Sequence, residues 1–495
     1  MRTLSLAVIC TLSVMLAACG GGSSDSGGAA PASGASSPSG ASSPTPASGA
    51  STTLSLNAQV GQKLFNDPSL SLNHNMACAT CHNPAYAYGP PNSLSVQIGS
   101  DPSQQGVRAV PSLRYKSMTP PYEDNAANPD GVSQNAPGGG FMWDGRAASL
   151  AGQAELPLMN PIEMGNTSQA AVVQAVQNGP NAALFEQAFG PSVFGDTTTA
   201  FNDIGVALQA YQDEDPSFQP YTSKFDLYLG NKIGGTLTAA ETRGLQLFND
   251  TTSGAGCAAC HYVGANFGGS QGLMTDFTYQ ALGVPRNDTS IPNNPSPIPA
   301  DADASYDDMG LCGPYATIHQ PGTATSGAGP DAYQPGVNVP DPYCGRFKVP
   351  TLRNVATRTA FFHNGVFHSL VQVLNFYNTR DTNPEYWYPA TGGSGAVTNN
   401  PSYALQPTYT AGATIKTFND LPAAYQGNID EELPMGQGQT AAGGTTAADG
   451  AQPRAFHSAP QLTQGNIADL ICFLKTLSDG YQPPAQTPTS GDCVN

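Results

Sequence analysis

The stretch "NMACATCHNP" at 75–84 sets Cys78 three residues ahead of Cys81, with His82 directly after. "AGCAACHYVG" at 255–264 repeats the arrangement with Cys257, Cys260 and His261. This spacing suits covalent haem attachment, in which two thiols add across the porphyrin vinyl groups and the adjacent imidazole becomes the proximal iron ligand. A single unit could instead be a zinc half-site, a redox dithiol or one edge of a disulfide. Two units could also share one zinc ion if they met in space. Zinc does not require a histidine at that place, and both copies carry one. The pattern therefore favours two haems, one on Cys78, Cys81 and His82 and one on Cys257, Cys260 and His261.

Something must hold each motif in place, and the sequence supplies the same frame twice. "GQKLFND" at 61–67 precedes the first motif and "GLQLFND" at 244–250 precedes the second. Each reads as the end of a short helix that turns Leu and Phe inward. Each half closes with an amphipathic stretch, "FNDIGVALQAYQ" at 201–212 and "GNIADLICFLKTL" at 465–477. In the latter, Ile467, Leu470, Ile471 and Leu474 recur at helical spacing. An opening helix, a haem-bearing loop and a closing helix form a cytochrome c module. The expected fold is mainly α, with two tandem cytochrome c-like haem domains, long loops and little β structure. The expected domains are 53–230 and 231–482, followed by a tail at 483–495. Gly/Pro/Tyr-rich insertions at about 265–345 and 380–460 enlarge the second.

The N-terminus has Arg2, then an apolar run from Leu4 to Ala18, which reads as a secretory signal too short for a spanning helix. Leu16-Ala17-Ala18-Cys19 resembles a bacterial lipobox. Residues 1–19 are thus expected to be a lipoprotein signal, with Cys19 carrying lipid, and the chain periplasmic and anchored to a bacterial, outer, membrane by that lipid alone. Residues 20–52 are Gly, Ser, Ala, Pro and Thr almost throughout, a flexible tether with a reach of roughly 30 Å. Of ten cysteines, Cys312, Cys344, Cys472 and Cys493 remain after signal, lipid and haem are served. In an exported protein their proximity favours Cys312–Cys344 and Cys472–Cys493 disulfides, with a buried free thiol as the alternative for Cys472. The net charge of −18 argues against nucleic acid as a partner.

Across roughly 55–480 the chain resembles the bacterial dihaem cytochrome c peroxidase and MauG family. The resemblance rests on "RAVPSLR" at 108–114, "WDGRAASLAGQAELPLMNPIEMG" at 143–165, "FKVPTLRNVA" at 347–356 and "FFHNG" at 361–365. It implies a peroxidase whose first haem is the reaction centre and whose second admits electrons from a small cytochrome or cupredoxin. It also implies roles for residues of the 143–165 segment. Glu163 is the distal acid–base, Gln153 the amide that orients hydrogen peroxide, and Trp143 the relay between the haems. Pro157 and Met164 pack around them. Read without the family, Glu163 would be a solvated carboxylate, Gln153 a surface amide and Trp143 a core aromatic.

Three departures from the family pattern matter. Many members place a histidine between the first haem motif and the Trp segment, where it blocks the first iron until the other haem is reduced. Residues 83–142 contain no histidine, so the first haem is expected to be open without reductive activation. Many members place a methionine fourteen residues after the histidine of the "FHNG"-like motif. That position is Tyr377 here, as in MauG-like proteins. Tyr377 is the expected second-haem ligand; Met274, Met309 and Met435 are alternatives, and Tyr377 could be core, sharing a helical face with Leu370, Val373 and Leu374. The asparagine that serves the family's inter-haem calcium is Ala109 here, which weakens the case for that ion. His363 is expected near the second haem without ligating it, and His74, His319, His368 and His457 as structural or surface residues. Two rival readings keep the haems. One is a MauG-like oxidase that uses a high-valent two-haem state to oxidise a protein side chain. The other is a pure electron-transfer cytochrome, against which Glu163 and Gln153 argue.

Overall fold

In chain order the helices of the first half are α1 (Leu56–Phe65), α2 (Cys78–Cys81), α3 (Leu150–Met159), α4 (Gln169–Asn178), α5 (Ala182–Phe189) and α6 (Thr197–Glu214). Those of the second are α7 (Lys224–Leu229), α8 (Ala239–Asn249), α9 (Leu370–Thr379) and α10 (Gln464–Lys475). The computed structural model describes residues 53–126, 136–250, 255–263, 272–303, 305–315, 342–429, 434–435, 460–483 and 493. The signal segment, Cys19, the tether, His319 and His457 lie outside the described residues.

Caps set where the paired helices begin. The Ser55 hydroxyl accepts the Ala58 N–H to start α1, and Asp196 accepts that of Thr199 to start α6. Reciprocal capping boxes, Thr238 with Glu241 and Thr463 with Asn466, start α8 and α10. In each half the opening helix crosses the closing one, α1 on α6 and α8 on α10. A glycine sits at each crossing. A Cβ on Gly61 would stand 1.9 Å from the Ala207 carbonyl oxygen, and one on Gly244 would stand 2.0 Å from that of Asp469. Only hydrogen fits at such a backbone-to-backbone approach.

Two apolar cores result. In the first, Phe65 meets Tyr88, Tyr211 and Phe218 edge-on, while Tyr88 stacks on Phe218 at 3.9 Å. In the second, Phe225 and Phe248 both meet Phe473, and Phe367, Phe376 and Trp387 pack beside α9. The cores change over between Phe218 and Phe225, a few residues ahead of the expected boundary. Both lie in one compact unit, Thr52–Asn495.

The fold is mainly α. Among the described residues, strands form only two-stranded antiparallel ribbons, such as Tyr279–Gln280 with Phe347–Lys348. Cys312 is bonded to Cys344, and Cys472, itself buried on α10, to Cys493. The pairing agrees with the expectation from sequence proximity. No helix among the described residues is long and apolar enough to cross a membrane.

Candidate active site

Each C-x-x-C-H motif ends in a tight helical turn, α2 for Cys78–Cys81 and a 3-10 turn over Cys257–Ala259, so both thiols face one side with the histidine next in line. None of the four cysteines is in a disulfide, which removes that alternative. The two motifs line separate cavities, so they do not meet to share a zinc ion. Burial pushes the Cys78, Cys81 and Cys257 thiols up to about 12, the wrong direction for a reactive redox dithiol.

The histidines are held alike. His82 Nδ1 lies 3.0 Å from the Tyr88 carbonyl oxygen, and His261 Nδ1 lies 3.0 Å from that of Met274. A carbonyl can only accept, so Nδ1 carries the proton and Nε2 keeps its lone pair free to ligate a metal. Burial lowers both imidazoles to about 4, keeping them neutral. Two thiols and one free imidazole nitrogen in a large cavity fit a c-type haem, twice.

The first cavity contains every residue expected around the reaction centre. Gln153, Pro157 and Asn160 fall on one face of the end of α3, and with Met164 and Glu163 they line the same space as Cys78, Cys81 and His82. Ser149 caps α3, and Gly165, at φ +76°, closes the turn that brings Glu163 back. Asn160 Nδ2 donates to Glu163 Oε1 at 2.9 Å. Burial raises the Glu163 pKa; the Asn160 hydrogen bond and Arg146 oppose it in part. Among the described residues His82 is the only histidine lining this cavity.

The second cavity is lined by His261, Cys257 and Cys260, and by Leu370, Val373, Leu374 and Tyr377 from one face of α9. Burial raises the Tyr377 hydroxyl pKa, and the Arg380 guanidinium, 5.3 Å from the ring, opposes this. Among the described residues no methionine lines this cavity. Met274 instead gives its carbonyl to His261, and Met435 is buried in the second core. His363 also lines the cavity, stacked at 3.6 Å on Phe347, with Nε2 3.3 Å from Asp420. His74 and His368 turn Nδ1 to the carbonyls of Ser69 and Thr359, and neither lines either cavity.

Trp143 belongs to both walls. Its Nε1–H donates to the Ala109 carbonyl at 2.8 Å, so Ala109 offers the space between the cavities no side-chain ligand. The Trp143 carbonyl accepts the Lys348 N–H at 2.9 Å, while the His363 carbonyl accepts the Ala109 N–H at 2.6 Å. These reciprocal bonds join repeats that sequence reading had treated separately. "FMWDGRAASL" at 141–150 and "FFHNGVFHSL" at 361–370 form equivalent turns, each with its second residue and its glycine at positive φ, and each ending in a serine cap. Within them Trp143 corresponds to His363, and further along Pro157 of α3 corresponds to Tyr377 of α9. The signal was present in the aligned Phe, Gly and Ser-Leu positions. Reading also missed Arg108, which bridges Asp144 at 2.7 Å and Asp308 at 2.6 Å, a partner 200 residues away with no local signature.

Comparison with known proteins agrees with this geometry. A family model described as di-haem cytochrome c peroxidase matches residues 55–233. The methylamine utilization protein MauG of Paracoccus denitrificans is 34% identical over 65% of this chain and 74% of its own. Cytochrome c551 peroxidase of Nitrosomonas europaea is 28% identical over 66% of this chain and 75% of its own. The crystal structure of the dihaem peroxidase BthA from Burkholderia thailandensis matches with a TM-score of 0.65 at 31% identity, covering 88% of this chain and 89% of that one.

Proposed function

The chain belongs to the di-haem cytochrome c peroxidase family, and from that premise we propose that it is a tethered periplasmic peroxidase. In this reading Cys78, Cys81 and His82 hold the haem at which hydrogen peroxide reacts, and Cys257, Cys260, His261 and Tyr377 hold the haem through which electrons enter. The observation that carries the proposal is the meeting of Glu163 and Gln153 with the first haem motif in one cavity.

When bound, the haems supply a redox-active iron that takes peroxide and a second centre that stores an electron. The Glu163 carboxylate takes a proton from one peroxide oxygen and returns it to the other. Its burial disfavours the ionised form and makes it a usable acid as well as a base. Asn160 holds the carboxylate in place, and the Gln153 amide orients the peroxide. Peroxide takes up two electrons and two protons to give two waters. A small reduced cytochrome or cupredoxin supplies the electrons, one at a time, and Trp143 spans the wall between the cavities. Among the described residues no second histidine lines the first cavity, so a haem held there by Cys78, Cys81 and His82 would accept peroxide without prior reduction.

A MauG-like reading, oxidation of a protein side chain, draws on one specific observation: Tyr377, and no methionine among the described residues, lines the second cavity. Steady-state assay of the dihaem protein with peroxide and a reduced small cytochrome separates the two. The peroxidase reading expects sustained turnover, with two donor molecules oxidised per peroxide. A single burst without turnover favours the protein-oxidising enzyme. The lipid anchor at Cys19 is part of the same proposal, and Cys19→Ser is expected to release soluble protein that keeps both haems.

A further inference from the structure

Arginines around the two cavities mostly have carboxylate partners. Arg108 is held by Asp144 and Asp308, Arg146 by Asp144, and Arg353 by Asp226 at 2.8 Å. Among the described residues three other cavity-lining cations do not. Lys348, 8% exposed, gives its ammonium to the Gly140 carbonyl; Asp144 acts on it only at longer range and is already engaged by two arginines. Arg358 gives Nη2 to the Val110 carbonyl at 3.0 Å and Nε to that of Ala360 at 3.3 Å. Lys116 Nζ has no hydrogen-bonding or ion-pairing partner among the described residues. Lys116 and Lys348 line both cavities, and Arg358 lines the second.

Lys348 is buried and Lys116 and Arg358 are half-buried; cations withdrawn from water without counter-ions are costly, because a backbone carbonyl neutralises no charge and three like charges in one region add mutual repulsion. Desolvation already lowers Lys116 to about 8 and Arg358 to about 10, the direction expected where the anion is not part of the polypeptide. A c-type haem brings such anions. Its vinyl edge is tied to the cysteine pair, so its two propionates point to the opposite side of the ring. We propose that Lys116, Lys348 and Arg358 are positioning residues that hold haem propionate carboxylates at the junction of the cavities, Lys116 and Lys348 serving both haems and Arg358 the second alone. The proposal rests on the reading that both cavities hold haem. It makes the two haems electrostatically dependent on a shared pair of lysines, so that one substitution acts on both.

The test is spectroelectrochemical titration of the purified dihaem protein and of Lys116→Met, Lys348→Met and Arg358→Met, with haem content measured on each preparation. Removing a positive charge favours the ferric state. Both midpoint potentials are therefore expected to fall in each lysine variant; in Arg358→Met that of the second haem is expected to fall further than that of the first, which the Arg358 charge reaches only through its field at His82. Lys348→Arg is expected to restore both values. Unmoved potentials in a lysine variant that carries two haems, or movement of one haem only, would overturn the inference and leave the proposed function standing. A wild-type chain lacking two haems would instead sink the underlying reading. Should the methionine variants fail to accumulate, infrared difference spectra of wild-type protein with carboxyl-labelled haem decide the matter. Salt-bridged propionates are expected to remain ionised at about pH 3.3, roughly a unit below the ordinary carboxylate value, where a free carboxyl is protonated. A protonated carbonyl band appearing there would overturn the proposal.

Discussion

Lys348 donates its backbone N–H to the carbonyl oxygen of Trp143 at 2.9 Å, so the second half of the chain grips the residue that stands between the two cavities. The indole is held from the other side by Ala109, itself bonded to His363. Trp143 is thus fixed by both halves. Trp143→Phe leaves the buried Ala109 carbonyl without its donor, a loss of about 1–3 kcal/mol. The expected result is a lower unfolding midpoint together with slower peroxide turnover at unchanged haem content. Equal turnover would remove Trp143 from the electron path.

In the proposed mechanism Glu163 sets the pH response. Burial raises its pKa above the ordinary glutamate value of about 4.3. Below its pKa the group is protonated and cannot accept the peroxide proton; as pH rises through it, the base appears and the rate rises. The acid limb of the peroxide reaction is therefore expected above about pH 4.3. Glu163→Gln should abolish that limb, which a pH profile of single-turnover rates will show.

Tyr377 takes its position from α9, one face of which lines the second cavity. Tyr377→Phe is expected to change the ferric electron paramagnetic resonance signal of the second haem and leave that of the first. Tyr377→Met should raise the second potential, since thioether ligation favours the reduced state. An unchanged ferric signal in Tyr377→Phe would return the residue to a packing role.

The helix crossings can be tested without reference to haem chemistry. Gly61→Ala and Gly244→Ala would each force a methyl group to within about 2 Å of a carbonyl oxygen, so helices must part. Overpacking of this kind costs about 1–3 kcal/mol or more, readable as a fall in the thermal unfolding midpoint. A neutral Gly61→Ala would show that α1 and α6 cross less closely.

What the sequence made legible follows from which signals are local. The haem motifs, the helices framing them and both disulfides depend on residues within one element or near in the chain, and those were readable. Gln153 and Glu163 could be placed only through the family segment, because nothing local tells a buried carboxylate from a solvated one. The Trp143–Lys348 and Ala109–His363 bonds, the Arg108–Asp308 bridge and the cations shared between cavities join distant parts of the chain. Their residues are individually unremarkable, and only folding brings them together.

Glu163 carries the central claim, so its removal tests the account most directly. Steady-state peroxide consumption by wild-type and Glu163→Gln dihaem protein, with the same reduced cytochrome as donor, is the measurement. The account predicts a loss of about 10²–10⁴-fold, with two haems still bound and both haem spectra unchanged. A Glu163→Gln protein as fast as wild type would contradict it.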